Sequence, residues 1–387
     1  MGDSDRGLFT ARILSGIGDV RAVDWDACAG AMNPFVCHAF LAAVEDSGSA
    51  TAETGWMPHH IVVEDVAGRV VGVMPLYLKS HSQGEYIFDH GWADAFARAG
   101  GAYYPKFLSA APFSPVTGPR LMTRPGPQAA EARRALIAAG IELTERAEVS
   151  SLHVNFPPED EWRDLGDVGF LRRSDRQFHW FNHDYENFDG FLASLASRKR
   201  KAVKRERRAA LDSGLTIKTL TGNELKTTAW DSFFACYIAT ADRKSGYPYL
   251  TRDFFDRLGE TMAEKVVLML ASFDGRVVAG AYNLLGSDAL YGRNWGALGY
   301  FPFLHFELCY YRAIDFTIEH RLARVEAGAQ GHHKIARGYM PVHTYSAHWI
   351  RHEGLRNAVA DYLDHERPAV DQEIEALAGY APFRKCN

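Results

Sequence analysis

At 387 residues, with 47 % hydrophobic and 24 % charged positions, the chain exceeds one ordinary domain and has apolar material for two packed cores. A formal net charge of −5 and a pI near 6.3 argue against a protein that coats nucleic acid through its overall field. No run reaches the roughly 18 apolar residues that cross a bilayer, and the five cysteines (Cys28, Cys37, Cys236, Cys309, Cys386) show neither C-x-x-C spacing nor an even number, which argues against disulfides and zinc.

The N-terminus, MGDSDRGLFTARILSG, has acids where a signal peptide has cations, so the expectation is a soluble, cytoplasmic chain with buried thiols and no metal. His59 to Ser80, HHIVVEDVAGRVVGVMPLYLKS, reads as strand, turn at Ala67-Gly68, strand. A domain boundary is expected near Asn155 to Phe170, where Pro157-Pro158 and acids interrupt the periodicity, giving domains 1–165 and 166–387.

In the second half, WDSFFACYIATADRKSG and TRDFFDRLGETMAE read as helices, the latter capped by Thr251. Lys265 to Ala297 repeats the earlier strand-turn-strand pattern with a hairpin turn at Asp274-Gly275 and a second at Gly286-Ser287-Asp288. Both copies carry G-R-V-V after an Asp, as two copies of one module would. A helix follows, with Leu304, Leu308, Tyr311, Ile314, Ile318 and Leu322 at helical spacing, and then a strand in ARVEAGAQG. Helices alternating with antiparallel strands predict an α/β (α+β) layer fold with a mixed sheet in each half.

One segment contradicts the acidic balance. SRKRKAVKRERRAA (Ser197 to Ala210) places eight Lys or Arg and one Glu in fourteen positions. An apolar stripe at Leu192, Leu195, Val203 and Ala210 predicts a helix with a positive remainder. If the helix begins at Ser197, Arg198, Lys199 and Arg200 fall in its first turn, where the macrodipole disfavours cations and a phosphate would reverse the penalty. The alternative is a solvated face.

Four other clusters hold polar and aromatic residues beyond what a core requires. GEYIFDHGWADAFARAGGAYYPK presents Asp89, His90, Trp92, Tyr104 and Lys106, and PFSPVTGPR presents Arg120 on a proline-stiffened backbone. LYGRNWGALGYFPFLHFE places Arg293 and Trp295 at a strand end and His305 and Glu307 at a helix start. Acyl transfer to an amine needs a base near the nitrogen and a slot for the donor, and this arrangement offers both. Its R-x-x-G-x-x-G (Arg293 to Gly299) is a weak phosphate-loop signal. EAGAQGHHKIARGY adds Glu326, Gln330, Lys334 and Arg337, while adjacent His332 and His333 lack a metal-ligand spacing. No G-x-S-x-G, P-loop or Rossmann fingerprint is present.

Together, GEYIFDHGWADAF, YYPK, PFSPVTGPR, SRKRKAVKRERR, LYGRNWG, FLHFELCYY and EAGAQGHHKIARGY resemble the bacterial family of FemAB-like, or N-acyltransferase, proteins, over Asn33 to Phe383. The resemblance implies two GNAT-like domains and transfer of an acyl or aminoacyl group from an activated donor to an amine. Family relatives attach amino acids from aminoacyl-tRNA to peptidoglycan precursors, and others use acyl-CoA. The loose match to the GNAT pyrophosphate loop leaves room for a donor bulkier than acetyl-CoA.

The expected enzyme is therefore an N-acyltransferase with an acyl-CoA donor, or aminoacyl-tRNA in its place, and an amine-bearing small molecule or a cell-wall or lipid precursor as acceptor. Glu307, His305 or the Asp89/His90 pair is the expected base. Arg198, Lys199, Arg200, Lys201, Arg205 and Arg293 are expected on donor phosphates. Trp92, Tyr104, Lys106, Arg120, Trp295, Gln330, Lys334 and Arg337 are expected to line the acceptor or acyl groove. The alternative is a non-catalytic anion- or tRNA-binding module.

Overall fold

The β-branched stretches on either side of short turns form antiparallel hairpins in the computed structural model, which describes residues 9–243, 246–328 and 331–384. The chain falls into two compact units, residues up to Asp175 with Thr344–Val370, and Arg176–His343 with the residues from Asp371 onward. The expected partition has a single boundary at 165/166. The observed one lies ten residues later and is crossed three times, because a late segment belongs to the first unit.

The first unit contains β1 (Phe9–Ile13), α1 (Ala22–Ala29), α2 (His38–Asp46), β2 (Trp56–Pro58), β3 (Ile61–Asp65), β4 (Val70–Met74), β5 (Tyr77–Lys79), α3 (His90–Arg98), β6 (Lys106–Ser109), β7 (Met122–Thr123), α4 (Ala129–Arg146), β8 (Ser151–Asn155) and α5 (Glu159–Asp167). Strand β9 (Leu171–Phe181) carries the chain into the second unit. That unit contains α6 (Phe188–Ser194), α7 (Ser197–Leu211), β10 (Thr216–Leu220), α8 (Thr227–Arg243), α9 (Arg252–Thr261), β11 (Val266–Phe273), β12 (Arg276–Leu285), β13 (Ala289–Ala297), a short α10 (Leu304–Phe306), a π turn (Glu307–Tyr311), α11 (Arg312–Glu319) and β14 (Arg324–Glu326). β15 (Met340–Ile350) and α12 (Glu353–Ala378) end the order.

In the first unit β1, β3, β4 and β7 pair antiparallel, while β2, β5, β6 and β8 form a second row in which only β6 and β8 are parallel. The β3–β4 turn is set by Asp65, whose Oδ1 accepts from the N–H groups of Ala67 and Arg69, and by Gly68 at φ 74°. Ile61, Met74, Leu76, Phe107, Leu136, Leu152 and Val154 form the core. The opposite face of the same row is polar: Lys79 lies opposite Lys106, Leu108 opposite His153, and His153 opposite His348.

In the second unit the order is β10-β11-β12-β13-β14-β9, antiparallel except for β13–β14. Asp274 and Gly275, both at positive φ, make the tight β11–β12 hairpin that the sequence predicts. Thr251 caps α9 by accepting from Phe254 N–H at 3.2 Å. Val203, Met269, Ala281, Leu308 and Ile314 sit in its core. Each unit is thus a mixed, mostly antiparallel sheet flanked by helices.

Candidate functional site

Among the described residues the second unit has one parallel strand pair, β13–β14. β13 and β14 are in register through Ala289/Arg324, Leu290/Val325 and Tyr291/Glu326, and there the described pairing stops, although β13 runs on to Ala297. On its other side β13 carries a bulge against β12, where Tyr282 and Asn283 face Asn294 and Gly292. Just beyond the pairing the two chains stay near each other, a Cβ on Gly292 lying 3.5 Å from the Glu326 carbonyl oxygen, while the Ala327 and Gly328 carbonyls accept from Lys334.

Glu326 is the last β14 residue in that pairing. It is 3 % exposed, its Oε1 accepts from Arg324 Nε at 2.9 Å, and its Oε2 has no hydrogen-bond partner. Burial pushes its carboxyl up to about 7, and the attraction of Arg324 offsets only part of that. The neighbouring His179, 3.8 Å from Oε2, is pushed down to about 3 by burial and is therefore neutral near pH 7. A buried carboxyl with an unpaired oxygen and a proton affinity near neutral pH occurs both here and at Glu85 of the first unit.

The helical side of this unit holds Glu307, but with a different role from the expected one. Its carboxylate is fully buried and accepts from Arg207 Nε and Nη2 at 3.1 and 3.0 Å and from Arg312 Nε at 2.9 Å. Two guanidiniums saturate it, so Glu307 fastens α7 to the π turn and is not a base. Arg337 is likewise occupied: it donates to Glu206 at 2.8 Å, to Tyr311 Oη at 3.1 Å and to the His333 carbonyl at 2.7 Å, with Phe306 beneath its guanidinium. Lys334 donates to the carbonyls of Ala327 and Gly328 at 2.6 and 2.9 Å, and burial pushes it down to about 8. It ties down the backbone that follows Glu326.

α7 begins at Ser197, separate from α6, after Leu195 and Ala196 leave helical geometry. Arg198, Lys199 and Arg200 therefore do occupy a first turn. Arg198, Lys201, Arg205 and Arg208 recur at three- and four-residue spacing, are exposed, and have no side-chain partner among the described residues.

The first unit brings the other expected residues together in a buried network. Lys106 Nζ donates to Ser82 Oγ and Glu85 Oε2, each at 2.8 Å, and to Asp89 Oδ2. Tyr103 Oη donates to the same Asp89 oxygen at 2.7 Å, and His153 and His348 meet through their Nδ1 atoms at 2.6 Å. Burial alone would raise the Asp89 carboxyl, but Lys106 outweighs it and holds the group well below the usual carboxylate range. Such a carboxylate takes up no proton near pH 7. His90, one residue on, is exposed, so the expected Asp89/His90 pair does not form. Burial pushes Lys79 down to about 7 and Glu85 up to about 7. Tyr104 is half-buried, its Oη 2.7 Å from Ser82 Oγ.

A family model described as FemAB-like, peptidoglycan biosynthesis/recognition, matches residues 16–385. The chain belongs to the FemAB-like family. Membership makes it a transferase of the acyl or aminoacyl class. No curated protein matches the sequence significantly. Among solved structures, FemX is similar with a TM-score of 0.56 at 12 % identity, over 88 % of this chain and 98 % of that one. The C-terminal domain of a putative lysylphosphatidylglycerol synthetase from Agrobacterium fabrum gives 0.55 at 8 % identity, over 88 % and 94 %. L-PGS from Bacillus licheniformis gives 0.51 at 9 %, over 84 % and 96 %. These likenesses are of fold alone.

Several expected site residues have structural roles in this FemAB-like chain. Arg120 is fully buried and spends its guanidinium on the carbonyls of Val116, Gly118, Pro119 and Asn155, which knits the proline-rich loop to β8. Trp92 lies in a core cluster with its ring against His348 at 4.9 Å and the Arg173 guanidinium above it, so it lines no groove. Lys106 is fully buried and its three donors are taken.

The phosphate-loop signal also dissolves. Arg293 lies on β13 itself, and Gly296 is required because a Cβ there would sit 2.3 Å from the Cys236 backbone of α8. Trp295 and His305 do meet, ring to ring at 5.3 Å. Gln330 lies outside the described residues. Among the described residues no group of His, Cys, Asp or Glu is arranged to hold a metal ion, and burial pushes the thiols of Cys28, Cys37 and Cys236 up to about 11. No helix among the described residues is long and apolar enough to cross a membrane. Glu326 is the residue that sequence reasoning failed to promote, and its one local signal was an acid closing a short R-V-E strand before a glycine.

Proposed function

We propose that this chain transfers an aminoacyl group from aminoacyl-tRNA to an amine of a cell-wall or lipid precursor, with Glu326 as the base. The observation that carries the reading is the buried carboxyl with one unpaired oxygen at the place where β13 and β14 part. The family description supports the cell-wall branch of the acceptor class, whereas the name of the similar lysylphosphatidylglycerol synthetase domain points to a lipid hydroxyl, which would give an ester in place of the amide. The unpaired basic stripe of α7, with Arg198, Lys199, Arg200, Lys201 and Arg205, supports a polyanionic donor, whose phosphates those residues would contact. Acyl-CoA, the donor preferred from the sequence, draws no separate support.

In the step itself the acceptor nitrogen attacks the ester carbonyl and its proton passes to the free Oε2 of Glu326. The tetrahedral adduct collapses by breaking the ester C–O bond. The ribose hydroxyl leaves with a proton and the new amide remains on the acceptor. Main-chain N–H groups of β13 beyond Tyr291 would face the developing oxyanion.

The test supplies a pool of tRNA charged with labelled amino acids together with lipid-linked and nucleotide-linked cell-wall precursors. Label should move to a precursor, and ribonuclease treatment of the donor should abolish the transfer. Glu326→Gln should lower kcat/KM by about 10²- to 10⁴-fold. Undiminished turnover of that variant removes Glu326 from the mechanism, and transfer from acyl-CoA that resists ribonuclease replaces the donor.

A further inference from the structure

The carboxyl of Glu326 is held at one oxygen, and the group that holds it is shared. Arg324, two residues earlier on β14, lies on the same face of the strand and donates Nε to Glu326 Oε1 at 2.9 Å. Its Nη1 donates to Oδ2 of Asp288, the residue that the Gly286-Ser287-Asp288 turn delivers to the start of β13. One planar guanidinium thus bridges a buried carboxyl and a turn carboxylate whose side chain is 43 % exposed.

Backbone bonds fix this bridge. The Asp288 carbonyl accepts from the N–H groups of Ala323 and Arg324 at 2.7 and 3.2 Å, and Gly286 N–H donates to the Ala289 carbonyl at 2.8 Å. The turn and the first residue of β14 are therefore tied together at the point where pairing begins, at Ala289/Arg324. A group at the surface is in fixed electrostatic contact with Glu326.

Other ionisable groups face Glu326 as well. β13 supplies Tyr291, in register with it, and Arg293; β9 supplies His179, also in register; and beyond β14 Lys334 spends its ammonium on the Ala327 and Gly328 carbonyls. Burial pushes the Tyr291 phenol up and the His179 imidazole down to about 3, so both are neutral near pH 7. Arg324 and Arg293 favour the charged carboxyl, and Asp288 disfavours it. Arg324 is the cation that touches the carboxyl, and Asp288 competes for it.

We propose that Asp288 and Arg324 are positioning residues for Glu326. Arg324 keeps Oε1 engaged so that Oε2 stays open to the proton of the acceptor nitrogen. Asp288, by its own charge and by drawing on the same guanidinium, keeps Glu326 a stronger base than Arg324 alone would leave it. The assignment rests on the reading of Glu326 as the base. Because the two residues act in opposite senses, removing them should move Glu326 in opposite directions, which loss of a merely structural contact would not do.

The experiment titrates the full chain, its glutamate carboxyls labelled with carbon-13, and follows the Glu326 resonance, identified by its loss in Glu326→Gln. The pH profile of kcat/KM for aminoacyl transfer is recorded beside it. The Glu326 midpoint, about 7 in the wild type, should rise by about 1 pH unit or more in Arg324→Gln. It should fall by about half a unit in Asp288→Asn, where partial exposure screens the lost charge. Asp288→Asn keeps the shape of a partly exposed side chain, so it decides the matter even where Arg324→Gln fails to fold. A midpoint that stays or rises in Asp288→Asn overturns the proposal. Resonance shifts of the stated signs with a rate profile that does not follow them leave the positioning pair standing and remove Glu326 as base. A rate step that disappears in Glu326→Gln, with an unmoved resonance in Asp288→Asn, keeps the base and overturns the pair.

Discussion

Three buried carboxyls, Glu85, Glu161 and Glu326, are each pushed up to about 7 by burial, yet they differ in what surrounds them. Glu161 Oε2 accepts from the N–H groups of Arg120 and Leu121 at 2.9 and 3.1 Å and so closes a loop. Its folded-state pKa lies above the unfolded value, so its contribution to stability is fully present below about pH 4.5 and is lost as pH rises through about 7. The melting temperature of Glu161→Gln relative to wild type should therefore climb between about pH 5 and about pH 8. A difference that stays flat over that range refutes the assignment. At this scale the sequence reading found the right residue types but could not rank them. Glu307 and Glu326 are alike in a string of letters, and only burial with the count of partner guanidiniums separates a saturated anion from one with a free oxygen.

The elements were more legible than the residues, because hairpins and caps depend on neighbours in sequence. Asp65 with Gly68, Asp274 with Gly275, and Thr251 behave as local chemistry dictates. Two features escaped. The break between α6 and α7 is held by a partner far along the chain, Ala196 N–H donating to the Pro382 carbonyl at 2.8 Å. Gly296 of R-x-x-G-x-x-G serves packing, so Gly296→Ala should force α8 from β13, destabilise the chain by about 1 to 3 kcal/mol and lower its melting temperature, with an unchanged melt as the contrary result. Neutralising Arg198, Lys201, Arg205 and Arg208 to Gln should leave the helical circular dichroism intact. It should also make the salt dependence of tRNA binding shallower, by about 0.7 to 0.9 in log–log slope for each phosphate that the helix no longer neutralises. An unchanged slope returns α7 to a solvated face.

For the whole molecule, the sequence yields the pair of modules but not the path between them. Pro157-Pro158 marks a local interruption, whereas the return of Thr344–Val370 to the first unit has no compositional signature. That segment brings His348 to His153 and adds Ile350, Leu355, Val359 and Leu363 to the core around Trp92. A fragment ending at Asp175 should consequently lack a cooperative melt, while a cooperative transition in that fragment contradicts this assembly. The proposed transfer stands on proton transfer to Glu326 where the β13–β14 pairing ends. Its most direct test is the pH dependence of kcat/KM for aminoacyl transfer. The wild-type rate should rise with pH through about 7, as the carboxyl loses its proton, and the residual rate of Glu326→Gln should lack that step. A step near pH 7 that survives in Glu326→Gln would show that another group is the base.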